Sequence, residues 1–124
     1  MRLLLDTHAV LWWLAGEGLS EQARDAIADR DNYVALSAVS AWEIAIKKAL
    51  NKLTAPDDLT DQLAAGGIAE LPVHIVHALL AGALPRHHDD PFDRMLVAQA
   101  QLEGLTLVTR DSRFQTYDVP TLAA

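Results

Sequence analysis

Four acidic side chains fall where a folded chain could bring their carboxylates together. Asp6 and Asp111 each follow a short apolar run, Glu43 lies in a helix pattern that follows another such run, and Asp93 comes just after a proline that opens a helix pattern. Carboxylates held within a few ångströms repel one another unless protons or cations offset their charge. If the fold brings these four acids together, their spacing therefore predicts a cation site.

The residue types narrow the choice of cation. Oxygen ligands suit Mg²⁺ and Mn²⁺, and the chain has no cysteine, which excludes a thiolate zinc site and a cysteine nucleophile. A cation held in this way can activate water and stabilise the charge that develops on a phosphodiester. Hydrolysis of a nucleic acid is the reaction that this chemistry predicts.

Each acid also has a purely structural interpretation. Asp6 can cap the helix that follows it, and Glu43 can close a capping box with Ser40 or pair with Lys47 four residues later. The other two acids can complement a helix dipole or cap a turn at 112–114. Taken singly, the structural interpretations are favoured, whereas the four positions taken together favour the cation site.

Alternating apolar runs and helix patterns predict the elements that position these acids. The apolar runs lie at 3–5, 33–36, 68–71, 105–109 and 119–122. The helix patterns lie at 9–14, after Ser20, and at 37–50, 59–65, 73–80 and 91–103. Strands separated by helices predict an α/β fold with a parallel sheet of four to five strands and helices on both faces. The carboxyl ends of such strands share one edge, where ligands bind.

The pattern at 37–50 predicts one broad apolar face for burial. That face consists of Val39, Trp42, Ala45, Ile46, Ala49 and Leu50. Two further tryptophans, Trp12 and Trp13, are interpreted as core or partner surface rather than as chemistry.

Composition limits the class of protein. With 124 residues, the chain is predicted to form one domain over 1–124, and 51% hydrophobic residues support a core. The net charge of -7 argues against an anionic partner. Setting the four acids and their neighbour Asp90 apart as cation ligands or near-ligands would leave only -2, which weakens that objection. The lack of cysteine and of any apolar stretch of about 20 residues predicts a cytoplasmic protein that does not enter a membrane.

The histidines give little indication of a metal site. His87 and His88 are adjacent, so their rings point in different directions, which predicts a solvated loop rather than paired ligands. We interpret His8, His74 and His77 as surface or core groups.

Four motifs in order resemble the PIN-domain ribonucleases, and among them the VapC-type toxins of toxin-antitoxin pairs. They are LLLDTH at 3–8, SAVSAWEIA at 37–45, DPFDR at 90–94 and LVTRD at 107–111. Each motif is short, but their order and spacing extend over essentially the whole chain. The resemblance implies a three-layer α/β/α sandwich with the first strand at the centre of the sheet.

The resemblance also implies roles for individual residues. The catalytic acids that would bind Mg²⁺ or Mn²⁺ and position the attacking water are Asp6, Glu43, Asp93 and Asp111. The supporting residues would be Asp90, Thr7, Ser37 and Thr109. It further implies an RNA substrate, a homodimer, and a cognate VapB-type antitoxin that covers the site with a basic side chain.

Other functions are compatible with part of the pattern. A receiver-like signalling module also places acids and Mg²⁺ at strand ends, but it needs a Lys after a late strand, where this chain has Thr109 and Arg110. A dehalogenase-like phosphatase needs a second Asp where this chain has His8. A metal-dependent DNA nuclease uses similar acids, although 124 residues leave little room for elements that clamp a duplex.

Overall fold

A five-stranded parallel sheet forms the centre of the protein in the computed structural model, which describes residues 1–124. The strands are β1 (Arg2–Leu5), β2 (Tyr33–Ser37), β3 (Ala69–Leu71), β4 (Thr106–Thr109) and β5 (Thr121–Ala123). Their order is β3-β2-β1-β4-β5, and every neighbouring pair is parallel. The predicted parallel sheet with a central first strand is confirmed.

Six α-helices connect the strands, close to the predicted positions. They are α1 (Thr7–Ala15), α2 (Glu21–Ala28), α3 (Ala38–Ala49), α4 (Leu59–Ala65), α5 (Ile75–Ala83) and α6 (Pro91–Glu103), and a short 3₁₀ helix covers Ser112–Thr116. Capping fixes several ends: Ser20 caps α2, and α6 begins at Pro91 and ends at the left-handed Gly104. None of the helices combines the length and apolar character that a membrane crossing requires.

Two apolar layers, one on each face of the sheet, form the core. Leu4 and Leu107 pack on one face with α5 and α6, whereas Leu3, Leu5 and Val108 pack on the other with α1 and α2. The three leucines of β1 are fully buried, which contributes roughly 1.5–3 kcal/mol each. The sheet is therefore the middle layer of the predicted α/β/α sandwich, and its buried strands hold the residues at their carboxyl ends in place.

Helix α3 is rotated relative to the prediction. Trp42 is 62% exposed and Leu50 is 58% exposed, so the predicted apolar face is not the buried one. Val39 packs into one core layer and Ile44 into the other, which fixes the rotation of the helix across the carboxyl edge of the sheet. This rotation buries Glu43, whereas the Trp42 ring packs edge-on against Phe92 at 5.5 Å. The predicted face of α3 was wrong because contact with both layers outweighs the helix's own apolar stripe.

The start of α3 also differs from one of the structural interpretations. The Ser37 hydroxyl accepts a hydrogen bond from the Val39 amide at 3.1 Å, which makes Ser37 the N-cap. Ser40 lies inside the helix, and its buried hydroxyl has no hydrogen-bond partner. The predicted capping box between Ser40 and Glu43 therefore does not form, which leaves Glu43 for other partners.

Candidate metal centre

A cavity of about 180 Å³ at the carboxyl edge of the sheet is lined by five carboxylates. They come from the end of β1, the middle of α3, the start of α6 and the end of β4, and they are Asp6, Glu43, Asp90, Asp93 and Asp111. The parallel sheet thus brings all four predicted acids, and the predicted neighbour Asp90, to one cavity. Thr7, His8, Lys47, Arg113 and Phe114 complete the lining.

Asp6 is both a helix cap and a member of this acidic cavity. Its Oδ1 accepts a hydrogen bond from the Ala9 amide at 2.8 Å, and the residue is only 5% exposed. Burial raises the pKa of Asp6, although the Thr109 hydroxyl and the Ala9 amide oppose that rise. The capping and site interpretations are therefore compatible, because one oxygen caps α1 while the residue lines the cavity.

Glu43 is held by a hydroxyl and an ammonium group. The Thr7 hydroxyl donates to Oε1 at 2.6 Å, and Lys47 Nζ donates to Oε2 at 2.7 Å. This contact with Glu43 raises the pKa of Lys47, so the lysine stays charged. The predicted pairing of Glu43 with Lys47 is confirmed, and it places a cation at the rim of the acidic cavity.

Burial and neighbouring carboxylates both raise the pKa of Asp93. Burial raises the pKa of Asp93 to about 6, repulsion from Asp90 and Glu43 adds to the rise, and the hydrogen bond from His88 opposes it. The neighbouring Asp90 caps α6, since its Oδ1 accepts hydrogen bonds from the amides of Phe92 at 2.8 Å and Asp93 at 3.3 Å. A bound cation would relieve this repulsion.

Asp111 differs from the other three predicted acids because a guanidinium group contacts both of its oxygens. Arg113 donates from Nε at 3.1 Å and from Nη2 at 2.6 Å, and its amide donates to Oδ1 at 2.9 Å. The side chain of Arg113 lowers the pKa of Asp111. The predicted cap of the turn at 112–114 is thus confirmed. Asp111 still lies close to the other acids, since it, Asp93 and His88 each have a ligand atom within 4.8 Å of the others.

The predicted supporting residues have different contacts. Thr7 donates to Glu43, and the Thr109 hydroxyl accepts a hydrogen bond from the Asp111 amide at 3.1 Å. Ser37 is fully buried and caps α3, but it does not line the acidic cavity. Two of the three hydroxyl residues therefore contact the acids directly, and Ser37 acts on the helix that carries Glu43.

The predicted solvated loop at His87 and His88 is wrong for His88. His87 is exposed, whereas His88 is 8% exposed and its Nε2 lies 2.7 Å from Asp93 Oδ2. The Tyr117 hydroxyl accepts from the His88 amide at 3.0 Å and anchors the loop. Adjacency in sequence gave no indication of this burial, because the anchoring tyrosine lies 29 residues away.

The site also contains two basic side chains that were not predicted to be part of it. Lys47 and Arg113 line the acidic cavity. Their positions four and two residues after an acid are a signal that sequence can provide, since both pair with that acid. Of the remaining histidines, His8 lines the cavity as an exposed residue and His77 is fully buried.

The donor set fits a hard divalent cation. All the acids offer carboxylate oxygens, no cysteine is present, and the pKa values of both Asp6 and Asp93 are raised. Such a cluster of carboxylates suits Mg²⁺ or Mn²⁺ better than Zn²⁺, which favours nitrogen and sulfur.

A more spacious cavity than the acidic one lies elsewhere in the protein. It has a volume of about 490 Å³, adjoins Trp12 and Trp13, and includes a single acid, Glu17. Both tryptophans are half-buried, which agrees with their interpretation as core or partner surface. Size alone therefore does not mark the site, because the acids converge in a smaller cavity.

Comparison with known proteins identifies relatives along nearly the whole chain. The PIN domain model matches residues 3–120. The chain is 33% identical over 127 residues to "Ribonuclease VapC22" of Mycobacterium tuberculosis (strain ATCC 25618 / H37Rv), covering 95% of this chain and 93% of that protein.

Solved structures share the fold. VapBC2 from Rickettsia felis, bound to a DNA fragment from its promoter, matches with a TM-score of 0.73 at 15% identity and 98% coverage of both chains. FitAcB from Neisseria gonorrhoeae matches with a TM-score of 0.65 at 24% identity, covering 98% of this chain and 96% of that one. The arrangement of the sheet, the matched family model and the relative from M. tuberculosis agree with one another, and the chain belongs to the PIN-domain family.

Proposed function

We propose that the protein is a Mg²⁺- or Mn²⁺-dependent endoribonuclease of the VapC type. The observation that carries this proposal is the convergence of Asp6, Glu43 and Asp93 on one cavity in a chain of the PIN-domain family. The relative at 33% identity is named a ribonuclease, which supports RNA as the substrate.

Asp6, Glu43, Asp93 and Asp111 would hold the cation. When bound, Mg²⁺ or Mn²⁺ would lower the pKa of a coordinated water and stabilise negative charge on the scissile phosphate. The chain's own contacts would orient the ligands: Thr7 and Lys47 fix the two oxygens of Glu43, and the Ala9 amide fixes one oxygen of Asp6. Preorganised carboxylates avoid the cost of reorganisation at the moment of reaction.

A second cavity offers room for the nucleic acid strand. It has a volume of about 310 Å³ and shares Asp6, His8 and Asp111 with the acidic cavity, so the two adjoin. Trp12 and Arg110 complete its lining, and the guanidinium carbon of Arg110 lies 4.0 Å from the centre of the Trp12 ring. A cation beside an aromatic face suits a phosphate and a base of single-stranded RNA.

Cleavage of labelled single-stranded RNA tests the proposal. Protein stripped with EDTA should be inactive and should regain cleavage with Mg²⁺ or Mn²⁺. Asp6→Asn and Asp93→Asn should abolish cleavage while circular dichroism shows a retained fold. Wild-type activity in these variants, or activity in EDTA, would contradict the proposal.

Two further substrates separate the alternatives. A DNA strand of the same sequence should be cut poorly, and preferential cleavage of DNA would replace RNA as the substrate. A small phosphodonor should not label an aspartate. Phosphorylation of Asp6 would instead favour a receiver-like module.

We also propose that the chain forms a homodimer and binds a cognate VapB-type antitoxin. Structural neighbours include a toxin-antitoxin complex from Klebsiella pneumoniae, with a TM-score of 0.67, 18% identity, and coverage of 98% of this chain and 96% of that one. Helix α5 exposes Ile75, Val76 and Leu79 by 79%, 55% and 70%, and this apolar face suits the homodimer contact. The acidic cavity suits a basic side chain from the antitoxin.

Light scattering and inhibition test these two contacts separately. The wild type should have twice the mass of one chain, and the Ile75→Glu, Leu79→Glu double variant should have the mass of a single chain. Addition of the antitoxin should abolish RNA cleavage. A monomeric wild type would contradict the first proposal, and uninhibited cleavage would contradict the second.

A further inference from the structure

The buried ring of His88 contacts one of the proposed metal ligands. Its Nε2 lies 2.7 Å from Asp93 Oδ2, and the side chain of His88 is 7% exposed. His88 is not one of the residues that line the acidic cavity, although it contacts one of them.

The hydrogen bonds of the ring determine which nitrogen carries the proton. The Asp90 amide donates to His88 Nδ1 at 3.4 Å, and an amide can only donate. Nδ1 is therefore the acceptor, so the neutral ring carries its proton on Nε2 and donates it to Asp93. Both nitrogens are engaged, and neither has a free lone pair for a metal.

The backbone around His88 is fixed by two side chains from elsewhere in the fold. The Tyr117 hydroxyl accepts from the His88 amide at 3.0 Å, and Arg94 Nη1 donates to the His88 carbonyl at 3.3 Å. Arg94 also donates to the carbonyls of Ala81 and Leu84 at the end of α5. The ring is therefore held at a fixed place relative to α5 and α6.

The orientation of Asp93 follows from this anchoring. Oδ2 accepts the hydrogen bond from His88, whereas Oδ1 accepts none from the chain and the residue lines the acidic cavity. A carboxylate with one oxygen fixed in this way presents the other to a cation without loss of rotamer freedom on binding.

We propose that His88 is a positioning residue for the divalent cation. His88 orients Asp93 through Nε2 and does not itself coordinate the metal. The proposal rests on the proposed function, because it assumes that Asp93 binds the cation. It assigns the group of His88, Asp93 and Asp111, whose ligand atoms lie within 4.8 Å, as two ligands and one orienting donor.

Titration of purified protein with Mn²⁺ alone, followed by calorimetry or by electron paramagnetic resonance of the free ion, tests the proposal without RNA. His88→Ala should weaken Mn²⁺ binding about 10–100-fold, the range found when an orienting partner of a metal ligand is removed. His88→Gln places an amide donor near the position of Nε2, so it should bind within about threefold of the wild type.

Pulsed electron paramagnetic resonance of the wild type then separates positioning from ligation. Mn²⁺ should show no coupling to a directly coordinated ¹⁴N. His8 also lines the cavity, so the same spectrum is recorded for His8→Ala. Coupling to such a nitrogen that changes when histidine is labelled with ¹⁵N and that persists in His8→Ala would overturn the proposal, since His88 would then be a ligand. Wild-type affinity in His88→Ala, or equal loss in both variants, would overturn it as well.

His77→Gln is the matched control, because His77 is the other buried histidine paired with a carboxylate and lies outside the acidic cavity. It should lower the melting temperature and leave Mn²⁺ affinity unchanged. If His88→Ala does not fold, His88→Gln and the spectrum of the wild type still decide. A wild type that binds no Mn²⁺ would contradict the metal dependence, whereas a binding wild type with an unaffected His88→Ala contradicts only the role of His88.

Discussion

Two buried histidines pair with carboxylates by the same hydrogen-bond pattern but lie in different surroundings. His77 Nε2 lies 2.8 Å from Glu103, and His88 Nε2 lies 2.7 Å from Asp93. In each ring Nδ1 accepts a backbone amide, from His74 at 3.0 Å in the first case and from Asp90 at 3.4 Å in the second.

The carboxylates make the difference between the two pairs. Glu103 has a side chain 38% exposed at the end of α6, and the pair ties α5 to α6. Asp93 lies close to Asp90 and Glu43, and repulsion from these two carboxylates adds to the rise in its pKa that burial causes. A histidine-carboxylate pair therefore does not identify a site by itself. The site is identified by the further carboxylates that the sheet edge brings to the same cavity.

The largest effect should separate the two regions by activity. Glu43→Gln removes one negative charge from the acidic cavity, and RNA cleavage should fall on the order of 10³-fold because loss of a metal's ligand forfeits several kcal/mol of transition-state stabilisation. Glu103→Gln removes one negative charge from the His77–Glu103 pair. It should leave single-turnover cleavage within about twofold of the wild type, since that pair does not touch the cation. Similar losses in both variants would erase the distinction.

Loss of the His77–Glu103 pair should lower the stability of the fold and leave metal binding intact, which is the reverse of the effect expected at the acidic cavity. His77→Ala opens a fully buried space and leaves the His74 amide without its acceptor, which should cost about 2–3 kcal/mol of unfolding free energy. Urea unfolding measures the loss, and Mn²⁺ affinity of the folded variant should be unchanged. A His77→Ala variant that unfolds like the wild type would remove the structural role assigned to this pair.

The pH dependence of stability should distinguish the two regions further. The pKa of Asp93 is raised from 3.8 to about 6, so the folded chain holds this proton more tightly than the unfolded chain does. The stability from this group is full below pH 3.8 and is lost as the pH rises through about 6.

Melting temperatures in EDTA across this pH range measure that loss. The melting temperature of the wild type relative to that of Asp93→Asn should fall as the pH rises, and Mg²⁺ should restore the wild type at neutral pH. A melting temperature of the wild type that rises relative to that of Asp93→Asn as the pH rises would contradict the sign, because it would mean that ionised Asp93 stabilises the fold.

The smallest effect should come from Arg113, which pairs with Asp111 at the edge of the acidic cavity. Its side chain is 61% exposed, so Arg113→Gln removes a weakly held competing cation. Mn²⁺ affinity measured without RNA should rise about two- to fivefold. Weaker Mn²⁺ binding in this variant would instead indicate that Arg113 orients Asp111 for the metal.

The sequence was sufficient for the parts of the fold set by local pattern. Apolar runs such as Leu3 to Leu5 predict the buried strands, whereas the cap Asp6 and the proline Pro91 predict where two of the helices begin. The convergence of Asp6, Glu43 and Asp93 also followed from the sequence, because parallel strands place their carboxyl ends at one edge.

Other features depend on contacts between distant residues, which a local pattern does not contain. The rotation of α3 is set by Val39 and Ile44, which enter opposite core layers, so its own apolar stripe misplaced Trp42. His88 is buried because Tyr117 and Asp93 hold it, and neither contact can be inferred from its neighbour His87.

The location of a bound cation tests the central claim most directly. Anomalous diffraction from crystals grown with Mn²⁺ should place manganese in the cavity lined by Asp6, Glu43 and Asp93, and the same crystals of Asp93→Asn should lose or weaken that peak. Manganese bound away from these three carboxylates, or an undiminished peak in the variant, would contradict the claim that they form the metal centre of this nuclease.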